Sequence, residues 1–203
     1  MKKLFLVLMA SLALGATPLM ADKVVDSFAK PGDFSAQAGL GLLFYGYGVG
    51  FSVSPGVEYG LAQVKLSEQF PINFGVAARG FYTSYEYSYF SSYTWGYTYF
   101  GLGGYGTAHY SLKNLHLGSD FFNHVDYYLG LGVGFTAATP TGTYAKYYKD
   151  QTGSDFTTGF AGGIGLVGYS GVSYYLNDHW AIFVEYTNFA YIGATQLGAL
   201  YKF

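Results

Sequence analysis

Arg79 is the one arginine in this 203-residue chain, and it falls in a stretch, Ile72 to Tyr85, where apolar residues alternate with small or polar ones. Glu58, Asp126 and Glu185 hold the same kind of position in other alternating stretches. A guanidinium set among inward carboxylates has two uses. It can fill an enclosed interior as a structural ion-pair cluster, whose net stabilisation is small because buried pairs lose their solvation. Alternatively, it can act as a gate that rearranges to let small solutes or ions pass. The structural use is the expectation, since such networks often form without a further task.

Four histidines, His109, His116, His124 and His179, raise a second chemistry. His109, Ser111 and Asn114 stand close in sequence, and hydrolysis would need a base and a hydroxyl. Nucleophilic catalysis also needs that base oriented by a third group, within reach of the bond to be cut. The glycine-rich run Gly101 to Gly106 does not introduce a helix, so it lacks the context of a phosphate loop. No histidines or carboxylates show metal-ligand spacing, so neither metal nor cofactor is expected.

What positions these groups is a period-two pattern, the signature of strands. It recurs in eight segments: Phe34 to Phe44, Phe51 to Gln63, Ile72 to Tyr85, Tyr97 to Leu112, Val125 to Ala138, Thr158 to Leu176, Trp180 to Thr187, and the closing run to Phe203. In the fifth, Val125, Tyr127, Leu129, Leu131, Val133 and Phe135 share one face, and Asp126, Tyr128, Gly130, Gly132, Gly134 and Thr136 the other. A second face of Gly, Thr and a carboxylate suits a narrow, polar, closely packed bore. Pro55 falls inside the second segment and predicts a bulge there, or a backbone position turned away from the ladder. The connections alternate in character. Lys65 to Pro71 and Leu176 to Trp180 are short, whereas Glu86 to Tyr97 and Pro140 to Phe156 are rich in Tyr, Ser, Gly and Lys. Lys113 to His124 is the awkward one, long for a member of the short set.

Composition narrows the class. Charged residues are 11% and aromatics 21%, against a usual charged share of about a quarter, which would make a poor soluble domain. A net charge of −2 offers no basic footprint, so no nucleic acid is expected. Lys2 and Lys3 followed by the apolar run Leu4 to Leu14 have the form of a signal peptide, residues 1–21, cleaved after Ala21 or, alternatively, after Ala16. A periplasmic lead-in, 22–32, and a barrel, 33–203, complete the expected organisation. The absence of cysteine excludes a lipid-anchored lipoprotein and disulfide staples. Beyond the leader no apolar run approaches the roughly 18 residues of a membrane-crossing helix, so a membrane would have to be spanned by strands.

The final segment sharpens this. Leu197, Ala199, Tyr201 and Phe203 alternate with Gly198, Leu200 and Lys202. Terminal residues of soluble domains fray and are free to be any type, whereas the last strand of an outer-membrane barrel closes the sheet and faces lipid. This ending also resembles the assembly signal of outer-membrane barrels. VDYYLGLGVGF at 125–135, GVSYYLNDHWAIFVEY at 171–186 and GALYKF at 198–203 resemble the OmpA-like and opacity-type family of small eight-stranded outer-membrane barrels.

The resemblance implies an all-β, eight-stranded antiparallel up-and-down transmembrane β-barrel in the bacterial outer membrane. It implies a monomer with both termini in the periplasm. Partners would be outer-membrane lipid, including lipopolysaccharide, and the barrel-assembly machinery, engaged through the C-terminal strand. No peptidoglycan-binding domain follows the barrel, so cell-wall anchoring is not implied. Trp180, Tyr201 and Phe203 would form the inner aromatic girdle, and Tyr82, Tyr85, Tyr97 and Tyr99 part of the outer one. Tyr87, Tyr89, Phe90, Tyr93 and Trp95 exceed a belt. They either compose an adaptable recognition surface for a ligand or extend strands above the membrane. His109 to Asn114 resembles lipid-A deacylases only superficially, because His, Ser and Asn stand closer in that family and outer-leaflet lipid lies at the far end from His109. The expected role is therefore structural or surface-interacting rather than enzymatic. A narrow channel for small solutes or ions is the runner-up, and a lipid-modifying enzyme comes third.

Overall fold

A computed structural model describes residues 30–45, 48–89, 93–153, 162–189 and 192–203. The expected signal peptide, 1–21, and the lead-in up to residue 29 lie outside the described residues.

Alternating sequence becomes paired strand throughout. The eight strands are β1 (Phe34–Tyr45), β2 (Gly48–Lys65), β3 (Pro71–Tyr89), β4 (Tyr93–Ser111), β5 (Val125–Thr141), β6 (Gly162–Tyr175), β7 (Trp180–Phe189) and β8 (Ile192–Lys202). Each pairs antiparallel with the next, and β8 returns to β1 with Leu40 opposite Leu197 and Ala36 opposite Tyr201. Closure leaves no sheet edge along the paired stretch, the condition for strands to survive in hydrocarbon.

The two faces sort as the period dictates. Along β7 exposed and buried residues alternate without a break from Trp180 to Phe189. Outside, Leu102, Val133, Val184 and Leu197 belong to an apolar wall on which Leu131 is 71% and Leu166 82% exposed. Only hydrocarbon makes such a wall favourable, and it is the lipid-facing band of a transmembrane barrel.

Pro55 is accommodated without a bulge. The β2–β3 register is the same on either side of it, with Val53 opposite Tyr82 and Gly56 opposite Arg79, while pairing lapses at Ser54 and Pro55. Ser54 Oγ donates to the Gly80 carbonyl at 3.1 Å, supplying a donor beside the proline that has none. The register shift falls instead between Gly60 and Ala62.

The two ends differ. At the turn end, Asn177 Oδ1 accepts from the backbone N–H groups of His179 and Trp180, both at 2.8 Å, a side-chain-closed turn. The β4–β5 connection holds a 3₁₀ turn, Leu112–Leu115, and a single helical turn, α1 (Asp120–Asn123). At the loop end, α2 (Thr143–Thr152) is pinned to β4 by reciprocal bonds: Thr94 N–H to Thr143 Oγ1 at 2.8 Å and Thr143 N–H to Thr94 Oγ1 at 3.1 Å. That rim is uneven, because β3 and β4 run 19 residues each while β7 and β8 run 10 and 11.

Candidate functional site

Glu58, Arg79, Asp126 and Glu185 all point into the bore and are buried. They divide into two groups. Arg79 Nη1 donates to Glu185 Oε2 at 2.5 Å and Nη2 to Gln37 Oε1 at 3.2 Å. Its guanidinium lies 3.3 Å from the Tyr169 ring centroid, a cation–π contact in a desolvated setting. Glu185 also accepts from the Tyr128 hydroxyl at 3.0 Å and from Thr187 Oγ1 at 2.8 Å.

The other two carboxylates gather on His109. Its Nδ1 lies 2.7 Å from Asp126 Oδ2 and its Nε2 2.8 Å from Glu58 Oε1. Thr107 Oγ1 donates to the same Glu58 oxygen at 2.5 Å. A neutral imidazole has a single N–H, so two carboxylate partners require either the imidazolium or a proton held on a carboxyl. The four predicted residues are therefore not one Arg79-centred cluster. His109 was assignable to the inward face from its alternation with Leu102 and Tyr110. Its height against β2 and β5, which decides its partners, is fixed only by strand stagger.

Beside these charges the bore is lined by rings. Phe81 stacks on Phe189 at 5.2 Å, Phe189 meets Tyr105 edge-on at 6.3 Å, and Tyr105 packs on Tyr169 at 4.9 Å. Tyr169 continues to Tyr128 at 6.0 Å, which lies parallel to His109 at 5.4 Å. Tyr175, Ala181, Phe183 and Leu200 form a second apolar cluster near the turns. The bore is thus aromatic as well as polar, which differs from the reading of its second face as Gly, Thr and carboxylate. Gly130 lies opposite Tyr169, Gly171 opposite Tyr128 and Gly198 opposite Phe183. A Cβ on any of these glycines would collide with the facing ring. Each glycine is the socket for its neighbour's ring, a relation that is invisible within one segment.

The aromatic positions also separate. At the turn end, Trp180 meets Tyr201 edge-on at 4.9 Å, Tyr201 meets Phe203 at 4.9 Å, and Phe203 packs on Phe34 at 5.4 Å. Tyr82 faces outward, 5.9 Å from Phe51. Tyr97 and Tyr85 do not join it. The alternation that exposes Phe100 and Leu102 turns Tyr97 to the inner face, where it is buried, 6.1 Å from Tyr85 and 5.7 Å from Tyr99. Tyr occupies both faces of that stretch, so the sequence pattern could not separate girdle from mouth. Phe90 and the side chains of Tyr87, Tyr89 and Tyr93 lie outside the described residues. On β8, Leu197 faces outward and Ala199 and Tyr201 continue its row, seated against Leu40, Ala38 and Ala36 of β1.

A solved structure of Ail, the attachment invasion locus protein of Yersinia pestis, in complex with the heparin analogue sucrose octasulfate, matches with a TM-score of 0.53 at 14% identity, over 85% of this chain and 99% of that one. The fold is that of the small outer-membrane β-barrels. OprG from Pseudomonas aeruginosa aligns at 15% identity over 90% of this chain and 99% of its own, with a TM-score of 0.45. Neisserial surface protein A aligns at 19% identity over 84% and 94%, with a TM-score of 0.39. At these identities the likeness is one of fold. No protein-family model matches the chain, and no curated protein does.

Proposed function

We propose that this chain is an integral outer-membrane protein whose barrel is a closed scaffold and whose loop end carries a structural or surface-interaction role. The filled bore is the observation that carries this reading. Buried rings of Phe81, Tyr105 and Phe189 lie inside it, beside two bonded charge groups, Arg79 with Glu185 and His109 with Glu58 and Asp126. Such an interior favours holding a shape over passing solutes. The β3–β4 hairpin carries a cluster of Trp95, Tyr97, Tyr99 and Tyr85 rings, a base for a recognition surface. Among the described residues at that end the charges are Lys146 and Lys149 against Glu86 and Asp150. A polyanion, such as the heparin analogue held by Ail, is therefore not favoured by charge here.

Lipopolysaccharide is the lipid such a barrel would meet at its loop end, and β8 is the strand the assembly machinery would engage. The protein is not an enzyme in this reading. Both ring nitrogens of His109 are engaged by carboxylates, leaving none to take a proton from a nucleophile. Two experiments test the proposal. The detergent-folded protein should migrate faster unheated than boiled, and in planar bilayers it should pass no steady current. Steady wild-type channels altered in Arg79→Ala would replace the scaffold with the narrow channel. Acyl loss from lipopolysaccharide, detected by mass spectrometry and abolished by a histidine substitution, would replace it with the enzyme.

A further inference from the structure

We infer that the β4–β5 connection is a membrane foot, seated in the phospholipid interface at the turn end of the barrel. Its Leu117 is 52% and its Phe121 55% exposed, with Leu115 beside them and Leu66 and Phe70 exposed on the neighbouring β2–β3 turn. A connection standing in water would gain nothing from these side chains. They do not stand off from the barrel. Phe121 stacks at 5.2 Å on Tyr174, which lies on the outward row of β6, and Phe70 stacks at 5.5 Å on Tyr110, on the outward row of β4. The Tyr110 hydroxyl donates to the Gln69 carbonyl at 3.0 Å, fixing that second ring pair.

The patch is therefore continuous with the lipid-facing wall, and that continuity selects lipid as its occupant. Its backbone suits the boundary. His116 N–H reaches the Lys113 carbonyl, Phe122 N–H that of Ser119 and His124 N–H that of Phe121, so much of the peptide's demand is met internally. Interfacial segments that bury Leu and Phe side chains lie about 5–10 Å into a headgroup boundary. This also explains why Lys113 to His124 is longer than the other turns: it covers leaflet rather than merely reversing the chain.

The inference rests on the outer-membrane reading, and its test separates the two. The chain has no cysteine, so single substitutions label cleanly. Nitroxides at Leu117→Cys and Phe121→Cys would be compared in phospholipid nanodiscs with Leu131→Cys in the wall and Asp178→Cys in the turn. Collision with dissolved oxygen and with a water-soluble nickel chelate is the readout. The foot requires oxygen-to-nickel ratios between those of Leu131→Cys and Asp178→Cys. Ratios equal to that of Asp178→Cys, with Leu131→Cys in lipid, overturn the foot alone. Protection from both reagents means protein cover and overturns it too. Nickel access at Leu131→Cys overturns the membrane reading and the foot with it.

Discussion

Arg79 on β3 and Glu185 on β7 meet across the bore at 2.5 Å, although 106 residues separate them and neither side chain is more than 2% exposed. The contact ties opposite walls of the cylinder at one height, which neighbouring-strand hydrogen bonds do not do. Gln37, Tyr128 and Thr187 complete its coordination, so each charge is enclosed by groups already oriented toward it.

Removing one partner of this pair leaves a bare buried charge. Arg79→Met is expected to lower unfolding free energy by about 3–5 kcal/mol. Adding Glu185→Leu removes the orphaned carboxylate, so the double substitution should cost less than Arg79→Met alone. Urea unfolding of the protein in lipid vesicles, followed by tryptophan fluorescence, measures both. A double variant that loses the sum of the single losses would mean the two residues act independently.

Glycines of the barrel fall into two kinds, those that face a neighbour's ring and those that face open space, and the ring cannot be seen within one strand. Gly130 faces inward against the Tyr169 ring, whereas a Cβ on Gly104, which faces outward, has no atom within 4 Å. Gly130→Ala should force the ring aside and cost about 1–3 kcal/mol, the usual cost of overpacking. Gly104→Ala should stabilise by about 0.4–1 kcal/mol, through the lower entropy of the unfolded chain. The same unfolding assay ranks them. Equal effects at the two sites would remove the socket explanation.

This contrast marks how far the residues alone could be read. Alternation assigned Leu131 to the wall and Glu185 to the bore, because side-chain period in a strand is two and needs no partner to be seen. The turn at Asn177 and the closing strand were legible for similarly local reasons. What joins Arg79 to Glu185, or His109 to both Glu58 and Asp126, is relative height, and height comes from the stagger accumulated around the ring. Tyr97 was misplaced where both faces of β4 carry tyrosine and alternation loses its contrast. Phe81 and Phe189 as a stacked pair were likewise beyond reach, since they sit on β3 and β7 and meet only after closure.

If that stacked pair helps seal the bore, opening it should be measurable. Phe81→Ala with Phe189→Ala removes two buried rings that pack on each other and, through Phe189, on Tyr105. The double variant is expected to conduct in planar bilayers where the wild type does not, with small steps set by the remaining Tyr105–Tyr169 pair. It should keep its heat-modifiable mobility, showing that the barrel still closes. Retained closure without conductance would place the seal in the charge network, and Arg79→Ala in the same background would then be the variant that opens it.

Phe203 separates packing from assembly. Its backbone N–H donates to the Phe34 carbonyl at 2.9 Å, stitching β8 to β1, while its ring is 68% exposed and rests on Phe34 and Tyr201. Alanine keeps the backbone bond and removes only a largely exposed ring, so the loss of stability should be small, on the order of 1 kcal/mol. Refolding of Phe203→Ala from urea into detergent should therefore proceed with nearly wild-type yield. If the assembly machinery engages β8 through this ring, as proposed, the amount of folded Phe203→Ala protein in outer-membrane fractions should fall several-fold. Comparable losses in detergent and in cells would reduce Phe203 to a packing residue, because a ring that matters only through Phe34 and Tyr201 has no reason to distinguish the two routes.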